Sequence, residues 1–494
     1  MYLFFLGLLL LVAGYCTYGK LVEKIIAPDG RSTPCKTKHD GVDYVSLPHM
    51  KNMLIQLLNI AGVGPVIGVI IGIKFGEIVF LIIPIGNIIA GATHDFLAGM
   101  MSMRRGGANL PSIIKDNLGK TYYSFFAVFM MLLLLLVVAV FINIPAELID
   151  KTFPQIQIFW AIVGGIFIYY ILATLFPVDK IIGKIYPIFS ALLLVGTFAI
   201  FVALVFSLFG NPELLSESAA FKEKMWTAAN GKPIIPLLFV TIACGIISGF
   251  HATQSPIIAR TMSTEFEARS SFYGMMVVEG VIGMIWAAGG LAVYNLFPET
   301  MSIKATDVLM KITGHFLGSY MGVITVMGVV ILAITSGDTA MRSLRLSIAE
   351  IFKIDQKPLM KRFLTTLPLI LIVTALLAWS NKSADTFNQL WNYFAWGNQV
   401  LAASTLTAGA VWLFRHGKNG FIAIFPAMFM TFIVLSYILW ISPAHGGPIG
   451  FGLDLNLSYA IAGVISLCFL GFAFYKSKKM AGVTDELLNS SDIS

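Results

Sequence analysis

Charged residues are scarce in this chain. Asp, Glu, Lys and Arg make up only 12% of its 494 residues, whereas soluble domains carry about a quarter. The hydrophobic share is 57%, and many apolar runs approach the ~20 residues that cross a bilayer. These proportions exclude a single soluble core and indicate a polytopic membrane protein whose main partner is the lipid bilayer.

Motifs for nucleotide, metal and covalent chemistry are also missing from the sequence. No Walker A loop is present, which excludes an ATP-driven pump of the usual kind. The four cysteines are scattered without disulfide or metal spacing, and no zinc-binding histidine motif or Gly-x-Ser-x-Gly nucleophile occurs. The sequence therefore predicts no enzyme, no catalytic residue, no cofactor and no metal site.

The distribution of Lys and Arg predicts the topology. We predict about 13 transmembrane helices, and roughly three quarters of the Lys and Arg residues fall in odd-numbered loops and the C-terminal tail. Since positive loops stay in the cytoplasm, the N-terminus is predicted outside and the C-terminus inside. Much of the net charge of +7 then lies on one side of the membrane, so it requires no nucleic-acid partner.

Two predicted spans are interrupted by glycine in the same way. Residues 59–68 read Asn-Ile-Ala-Gly-Val-Gly-Pro-Val-Ile-Gly, and residues 242–251 read Ile-Ala-Cys-Gly-Ile-Ile-Ser-Gly-Phe-His. The two spans, 53–73 and 233–252, lie five apart in the predicted order and therefore cross in opposite senses. Such pairs are typical of secondary transporters with inverted repeats and a binding site at mid-membrane. The alternative is close helix packing on small residues.

The predicted fold is an all-α membrane protein with a 5+5 inverted-repeat core that contains two broken helices. Residues 1–51 hold the first transmembrane helix and a cytoplasmic loop, 52–418 form the ten-helix transport core, and 419–494 add two transmembrane helices and a short cytoplasmic tail. Loops 104–120 and 297–314 are equivalent in this arrangement. Each is expected to hold a short surface helix.

The predicted substrate-binding residues surround the two interruptions, where unwound backbone and half-helix N-termini can bind a substrate. They are Gly62, Gly64, Pro65, Gly68, Cys244, Gly245, Ser248, Gly249, His251, Glu279, Trp396 and Asn398. His251 suits a substrate carboxylate or a proton relay, with a structural bond to a neighbouring helix as the alternative. Glu279 is an acid inside a span, where acids are functional by default. Trp396 and Asn398 lie in a polar strip that either closes the cavity or forms an interfacial belt.

A coupling cation, H⁺ or Na⁺, is expected near Gly62, Ser336, Asp338 and Thr339 because of their oxygen atoms. Asp338 is placed at the cytoplasmic end of its span, where pairing with Arg342 or Arg345 is an equal alternative. His94, Asp95 and Arg104 are predicted to form a cytoplasmic gate or anchor. Since His94 and Asp95 are adjacent, they are expected to point to different helix faces and to form no dyad.

Several blocks, spread in order over residues 39–410, resemble the carbon starvation protein A (CstA) family. They are His39-Asp-Gly-Val-Asp-Tyr-Val45, Ala61-Gly-Val-Gly-Pro65, Gly91-Ala-Thr-His-Asp-Phe96 with Arg104-Arg-Gly-Gly107, Ile242 to His251, Ser336-Gly-Asp-Thr-Ala-Met-Arg342 and Leu390 to Leu401. The resemblance implies a multi-pass transporter of the bacterial cytoplasmic (inner) membrane, linked to peptide uptake on carbon starvation. Some members resemble cation-driven pyruvate carriers. The family is grouped with the amino acid–polyamine–organocation superfamily, whose core is a 5+5 inverted repeat.

The expected function is therefore secondary active import of small peptides, or of a small carboxylate such as pyruvate, coupled to H⁺ or Na⁺. A gradient-independent channel or facilitator for small organic anions is the alternative. A dipeptide requires an acidic partner for its ammonium group, whereas pyruvate requires hydrogen-bond donors only. The sequence indicates neither the coupling ion nor the oligomeric state.

Overall fold

The computed structural model describes residues 1–153, 158–175, 182–216, 233–480, 483 and 485. The regular elements among these residues are helices, with no β-strand. The α-helices are α1 Tyr2–Cys16, α2 Tyr18–Ile26, α3 Pro34–Thr37, α4 His49–Ile60, α5 Val69–Gly72, α6 Val79–Gly86, α7 Ala92–Arg104, α8 Leu110–Leu118, α9 Lys120–Thr152, α10 Phe159–Leu175, α11 Ile182–Gly210, α12 Ile234–Thr241, α13 Ala243–Ile246, α14 Gly249–Ala259, α15 Met275–Leu296, α16 Ala305–Ile351, α17 Leu359–Ser380, α18 Ala384–Arg415, α19 Phe421–Trp440 and α20 Leu455–Lys479. Wider π-helical turns occupy Gly64–Gly68, Asn87–Gly91 and Arg269–Gly274.

The all-helical membrane fold is confirmed. Within the described ranges, 9 helices are long and apolar enough to cross a membrane, and the bent pair that begins with α4 raises this to 10. The predicted fifth span corresponds to the shorter α10, and the seventh is divided among α12, α13 and α14. The count of about 13 crossings and the 5+5 repeat therefore stay predictions.

The helix is interrupted at both glycine-rich segments. In the first, α4 ends at Ile60, Ala61 leaves the helical region with ψ 75°, and the chain resumes with a bend of 56°. Pro65 contributes because it lacks an N–H group. In the second, Ile247 and Ser248 are extended, with ψ values of 134° and 117°, so α14 begins afresh at Gly249.

The two interruptions pack directly against each other. A Cβ atom built on Gly64 would lie 2.3 Å from both Cβ and Sγ of Cys244. A Cβ on Gly68 would lie 2.8 Å from the carbonyl oxygen of Thr241. Because such distances are shorter than van der Waals contact, only glycine permits this approach. The residues of both segments therefore meet in one place, although 180 or so positions separate them.

Short helices occur in both loops where they are expected. One is α8, in the loop after Arg104. The other is the first part of α16, which ends at Gly318, where φ is +70° and the helical geometry is interrupted. Glycine is suited to this position because it adopts positive φ without strain.

Candidate functional site

Four titratable side chains meet beside the two interruptions. They are His94 and Asp95 of α7, His251 of α14 and Glu279 of α15, and all four are fully buried. Nδ1 of His251 lies 2.9 Å from Oδ2 of Asp95, and its Nε2 lies 3.6 Å from Oε2 of Glu279. Nδ1 of His94 lies 2.8 Å from Oδ1 of Asp95. His251 is therefore placed between two carboxyl groups.

Local chain breaks bring these side chains together. His251 lies in the first turn of α14, directly after the extended residues of the second interruption. Asp95 lies in the first turn of α7, after the π-helical turn Asn87–Gly91. The Asn87 amide Nδ2 in that turn donates to the carbonyl of Gly245 at 3.2 Å and to that of Met276 at 2.9 Å. One side chain thus ties α7, the second interruption and α15 together.

The arrangement suits the binding of a proton. Two ionised carboxylates buried together would repel each other and lose their hydration, which is costly in the membrane interior. A proton on His251, or shared with Asp95, reduces the buried negative charge and keeps the hydrogen bond between them. The cluster can therefore hold one proton and exchange it if the surroundings open.

One expectation about His94 and Asp95 is wrong. The two adjacent side chains do form a pair, since Nδ1 of His94 lies within hydrogen-bond distance of Oδ1 of Asp95. His94 and Asp95 therefore belong to the central cluster. Arg104 follows Asp95 by about 13 Å along α7 at ~1.5 Å per residue, and a cytoplasmic gate or anchor that combines the three residues stays a prediction.

Arg104 instead joins peripheral segments. Its Nη2 lies 2.9 Å from Oε2 of Glu265 and donates to the carbonyl of Ala27 at 2.7 Å. Its guanidinium also lies over the ring of Trp412 at 5.5 Å. These contacts hold the segment after α2 against the loop after α14 and against α18, which is compatible with an anchor at this edge of the protein.

Asn398 of α18 forms hydrogen bonds with the second interruption. Its Nδ2 donates to Oγ of Ser248 at 2.7 Å, and its Oδ1 accepts the backbone N–H of Phe250 at 2.6 Å. The same Nδ2 lies 3.6 Å from Sγ of Cys244. Trp396 is not part of this group, because its Nε1 donates to the carbonyl of Val434 on α19 at 2.9 Å.

The predicted cation-binding residues lie on α16 near the first interruption. Ser336 donates through Oγ to the carbonyl of Leu58 at 2.8 Å, and Tyr169 donates to Oδ2 of Asp338 at 3.1 Å. Thr339 donates back to the carbonyls of its own helix. Asp338 is fully buried and α16 continues to Ile351, so placing Asp338 at a helix end was wrong.

The side chain of Phe141 separates Gly62, the fourth residue of the predicted cation site, from Ser336, Asp338 and Thr339. A Cβ atom on Gly62 would lie 2.6 Å from Cζ of Phe141, and one on Gly337 would lie 3.0 Å from its Cβ. The ring of Phe141 therefore packs between the first interruption and the stretch of α16 that carries Asp338. The sequence did not predict a place in the site for Tyr169, Asn87 or Phe141. Of the three, Asn87 alone could have been noticed, as a lone polar residue in an apolar run.

A second charged contact joins the loop before α4 to α16. Asp43, in the loop before α4, is buried, and its Oδ1 lies 3.1 Å from Nη1 of Arg342. Burial by itself would raise the pKa of Asp43, but the guanidinium groups of Arg342, Arg345 and Arg260 outweigh it and lower that pKa below its ordinary value. The N-terminal loop is therefore held to α16 through an ionised carboxylate.

This contact predicts a pH-dependent stability. The pKa of Asp43 in the folded protein is below its value in the unfolded chain, about 3.9. Its contribution to the free energy of unfolding is therefore present at neutral pH and is lost as the pH falls through about 4 towards the pKa of the folded protein. Asp43→Asn should lower the thermal unfolding midpoint at pH 7, because it leaves Arg342 without its carboxylate, a loss of about 3–5 kcal/mol for a buried pair. Midpoints of the purified protein at pH 7 and pH 3.5 check this, and the difference between wild type and variant should shrink at pH 3.5. Exposed Glu299→Gln is the control, and a difference for Asp43→Asn that is equal at both pH values would contradict the assignment.

Comparison with known proteins gives concordant matches. The model of the family described as carbon starvation protein CstA matches residues 1–167, 146–294 and 293–437. The chain is 40% identical over 337 residues to an uncharacterized membrane protein of Haemophilus influenzae, an alignment that covers 59% of this chain and 91% of that protein. It is 24% identical over 500 residues to the peptide transporter CstA of Bacillus subtilis, covering 81% and 83% of the two chains.

A solved structure shares the fold. The manganese transporter of Eremococcus coleocola superimposes with a TM-score of 0.55 at 16% identity, covering 90% of this chain and 99% of that chain. At this identity the likeness concerns the fold alone.

Proposed function

Because this chain belongs to the carbon starvation protein CstA family, we propose that it is a secondary active transporter that imports small peptides, or a small carboxylate such as pyruvate, with H⁺ or Na⁺. Relatives are named as peptide transporters, so we propose transport without enzymatic activity. The observation that carries the proposal is the contact between the two interruptions, with the buried Asp95–His251–Glu279 group beside them. We also propose the bacterial inner membrane, an N-terminus outside, and a response to carbon starvation.

The substrate is proposed to lie between residues 61–68 and 243–251 in a conformation in which the contact between Gly64 and Cys244 has opened. A carboxylate there meets backbone N–H groups released by the interruptions, including the positive end of the α14 dipole. A substrate ammonium group is drawn towards Glu279. Rocking of one helix set against the other around this site would open it alternately to the two sides.

Two places are proposed for the coupling ion. The Asp95–His251–Glu279 group suits a proton, because imidazole and carboxyl groups exchange protons and the cluster is fully buried. The Ser336, Asp338 and Thr339 stretch supplies carboxylate, hydroxyl and carbonyl oxygens, which suit Na⁺ or a proton. A requirement for Na⁺ would favour the Ser336, Asp338 and Thr339 stretch, because the Asp95–His251–Glu279 group is proposed for a proton only.

Uptake into proteoliposomes tests the proposal. The purified protein is reconstituted and supplied with labelled alanyl-alanine or labelled pyruvate, under an inward proton gradient, an inward Na⁺ gradient, or neither. Accumulation above the external concentration under one gradient is expected and identifies the ion. Equilibration that ignores both gradients would instead favour a facilitator or channel.

Asp338→Asn should impair coupled uptake. A neutral amide cannot balance a cation bound in a low-dielectric interior, so gradient-driven accumulation should fall about tenfold or more, in line with the loss of a hydrogen bond to a charged group. Initial uptake rates in proteoliposomes measure this. Tyr169→Phe, which removes the hydroxyl that donates to Asp338, should give a smaller effect in the same direction. Full uptake by Asp338→Asn would remove this residue from the cation site.

A further inference from the structure

Three amide side chains follow one face of α4. Asn52, Gln56 and Asn59 occupy positions i, i+4 and i+7 of the helix, and all three are fully buried. Asn52 is fully engaged, since its Oδ1 accepts from Oγ1 of Thr261 at 2.7 Å and its Nδ2 donates to the Thr261 carbonyl at 3.3 Å. Because Thr261 lies two positions after the last residue of α14, Ala259, this face of α4 is turned towards the end of α14.

Gln56 and Asn59 differ from Asn52. In the part of the chain that the structure describes, neither amide nitrogen and neither amide oxygen has a hydrogen-bond partner. A buried polar group without a partner is costly, and an apolar side chain of similar shape would be more favourable there. Two donors and two acceptors in adjacent turns therefore indicate a surface made for a polar ligand.

The pair lies next to the proposed transport site. Asn52 faces the end of α14, so Asn59, about 10 Å further along α4 at ~1.5 Å per residue, lies towards the start of α14, which carries His251. Asn59 also precedes Ile60, the last residue of α4 before the first interruption. Gln56 and Asn59 thus extend from the site along the contact between α4 and α14.

We propose that Gln56 and Asn59 bind the peptide bond of the substrate and select peptides over small carboxylates, an inference that rests on the proposed transport function. Each side-chain amide offers an NH2 group as donor and a carbonyl oxygen as acceptor, and a peptide bond offers the complementary C=O and N–H. Pyruvate carries acceptors only and leaves both amide oxygens unpaired. A site built to pair with a substrate N–H rejects an analogue that lacks it much more strongly than a site that relies on apolar contact.

The test compares a peptide with its ester. Binding of alanyl-alanine and of its depsipeptide analogue alanyl-lactate, in which an ester oxygen replaces the N–H, is measured on the full chain in lipid nanodiscs. Wild type is expected to prefer the peptide by about tenfold or more. In Gln56→Met and Asn59→Leu the affinity for the peptide should fall to that for the ester in the same variant, so that the ratio of peptide to ester affinity approaches one. Neither should lower the thermal unfolding midpoint of the ligand-free protein, because each removes unpaired buried groups.

A matched control is Asn143→Leu. Asn143 is a buried amide on α9 that already donates to Ser380, so its replacement should leave the ratio of peptide to ester affinity unchanged. If wild type binds and transports the peptide but Gln56→Met and Asn59→Leu retain the wild-type ratio, the inference is overturned and the transport function stands; the amides then hold water only. If wild type takes up pyruvate and binds no dipeptide, peptide import and the inference fail together.

Discussion

Replacing Asp95 with asparagine is expected to abolish gradient-driven accumulation of substrate. The carboxylate accepts from two imidazole rings, those of His94 and His251, and all three side chains are fully buried. An amide of the same size keeps the shape but removes the charge that stabilises a proton on His251. Leaving one member of a buried pair unbalanced costs about 3–5 kcal/mol, which corresponds to a loss of more than about a hundredfold in proton occupancy.

Substrate exchange separates this effect from simple loss of binding. In Asp95→Asn, uptake driven by an inward proton gradient should fall by about a hundredfold or more, whereas exchange of labelled for unlabelled substrate, which needs no net proton movement, should persist. Asp116→Asn is the matched control, because Asp116 pairs with Arg105 outside the cluster. Gradient-driven uptake by Asp95→Asn within about twofold of wild type would exclude the cluster from coupling.

The second large effect is expected at Gly64. Gly64→Leu should abolish substrate binding, because even a Cβ atom at this position lies 2.3 Å from Cβ and Sγ of Cys244, and the larger side chain forces the two interruptions apart. Overpacking of this kind costs about 1–3 kcal/mol or more. Dipeptide binding to the purified protein measures the loss. Gly463→Leu, where nothing lies within 4 Å of an added Cβ, should bind normally.

A compensating change tests the contact itself. Gly64→Ala should also weaken binding, and adding Cys244→Gly should restore it, since the second change removes the two atoms that the new methyl group meets. Cys244→Ala should not restore it, because the Cβ atom remains. If Gly64→Ala binds as wild type does, or if Cys244→Gly gives no recovery, the two interruptions are not in the contact described.

The interruptions could be predicted from the sequence because their causes are local. Glycine permits non-helical dihedral angles and proline removes an N–H donor wherever they occur, so the composition of residues 59–68 and 242–251 was sufficient. Apolar runs likewise reveal membrane helices without knowledge of their neighbours. The number of membrane crossings does not follow from the apolar runs in the same way, because α10 is short and the predicted seventh span is divided into three helices.

The central cluster could not be predicted because it depends on tertiary packing. Asp95 and His251 are 156 positions apart, and only the arrangement of α7 against α14 brings them together. Asp338 was expected near a helix end with Arg342 as an alternative partner, but α16 continues to Ile351 and Arg342 lies 3.1 Å from Asp43 of a distant loop. Gln56 and Asn59 gave no signal, since amides are common in helices and only burial without a partner distinguishes them.

The most direct test of the proposed transport site is a structure determined with alanyl-alanine bound. We expect the dipeptide to lie between residues 61–68 and 243–251, with one end towards Glu279 and His251 and its peptide bond within hydrogen-bond distance of Asn59 or Gln56. The opposite result would be a dipeptide bound elsewhere, for example in the cavity lined by Tyr44, Arg260 and Glu350, while Gly64 and Cys244 remain in contact. That result would contradict the claim that the two interruptions form the transport site.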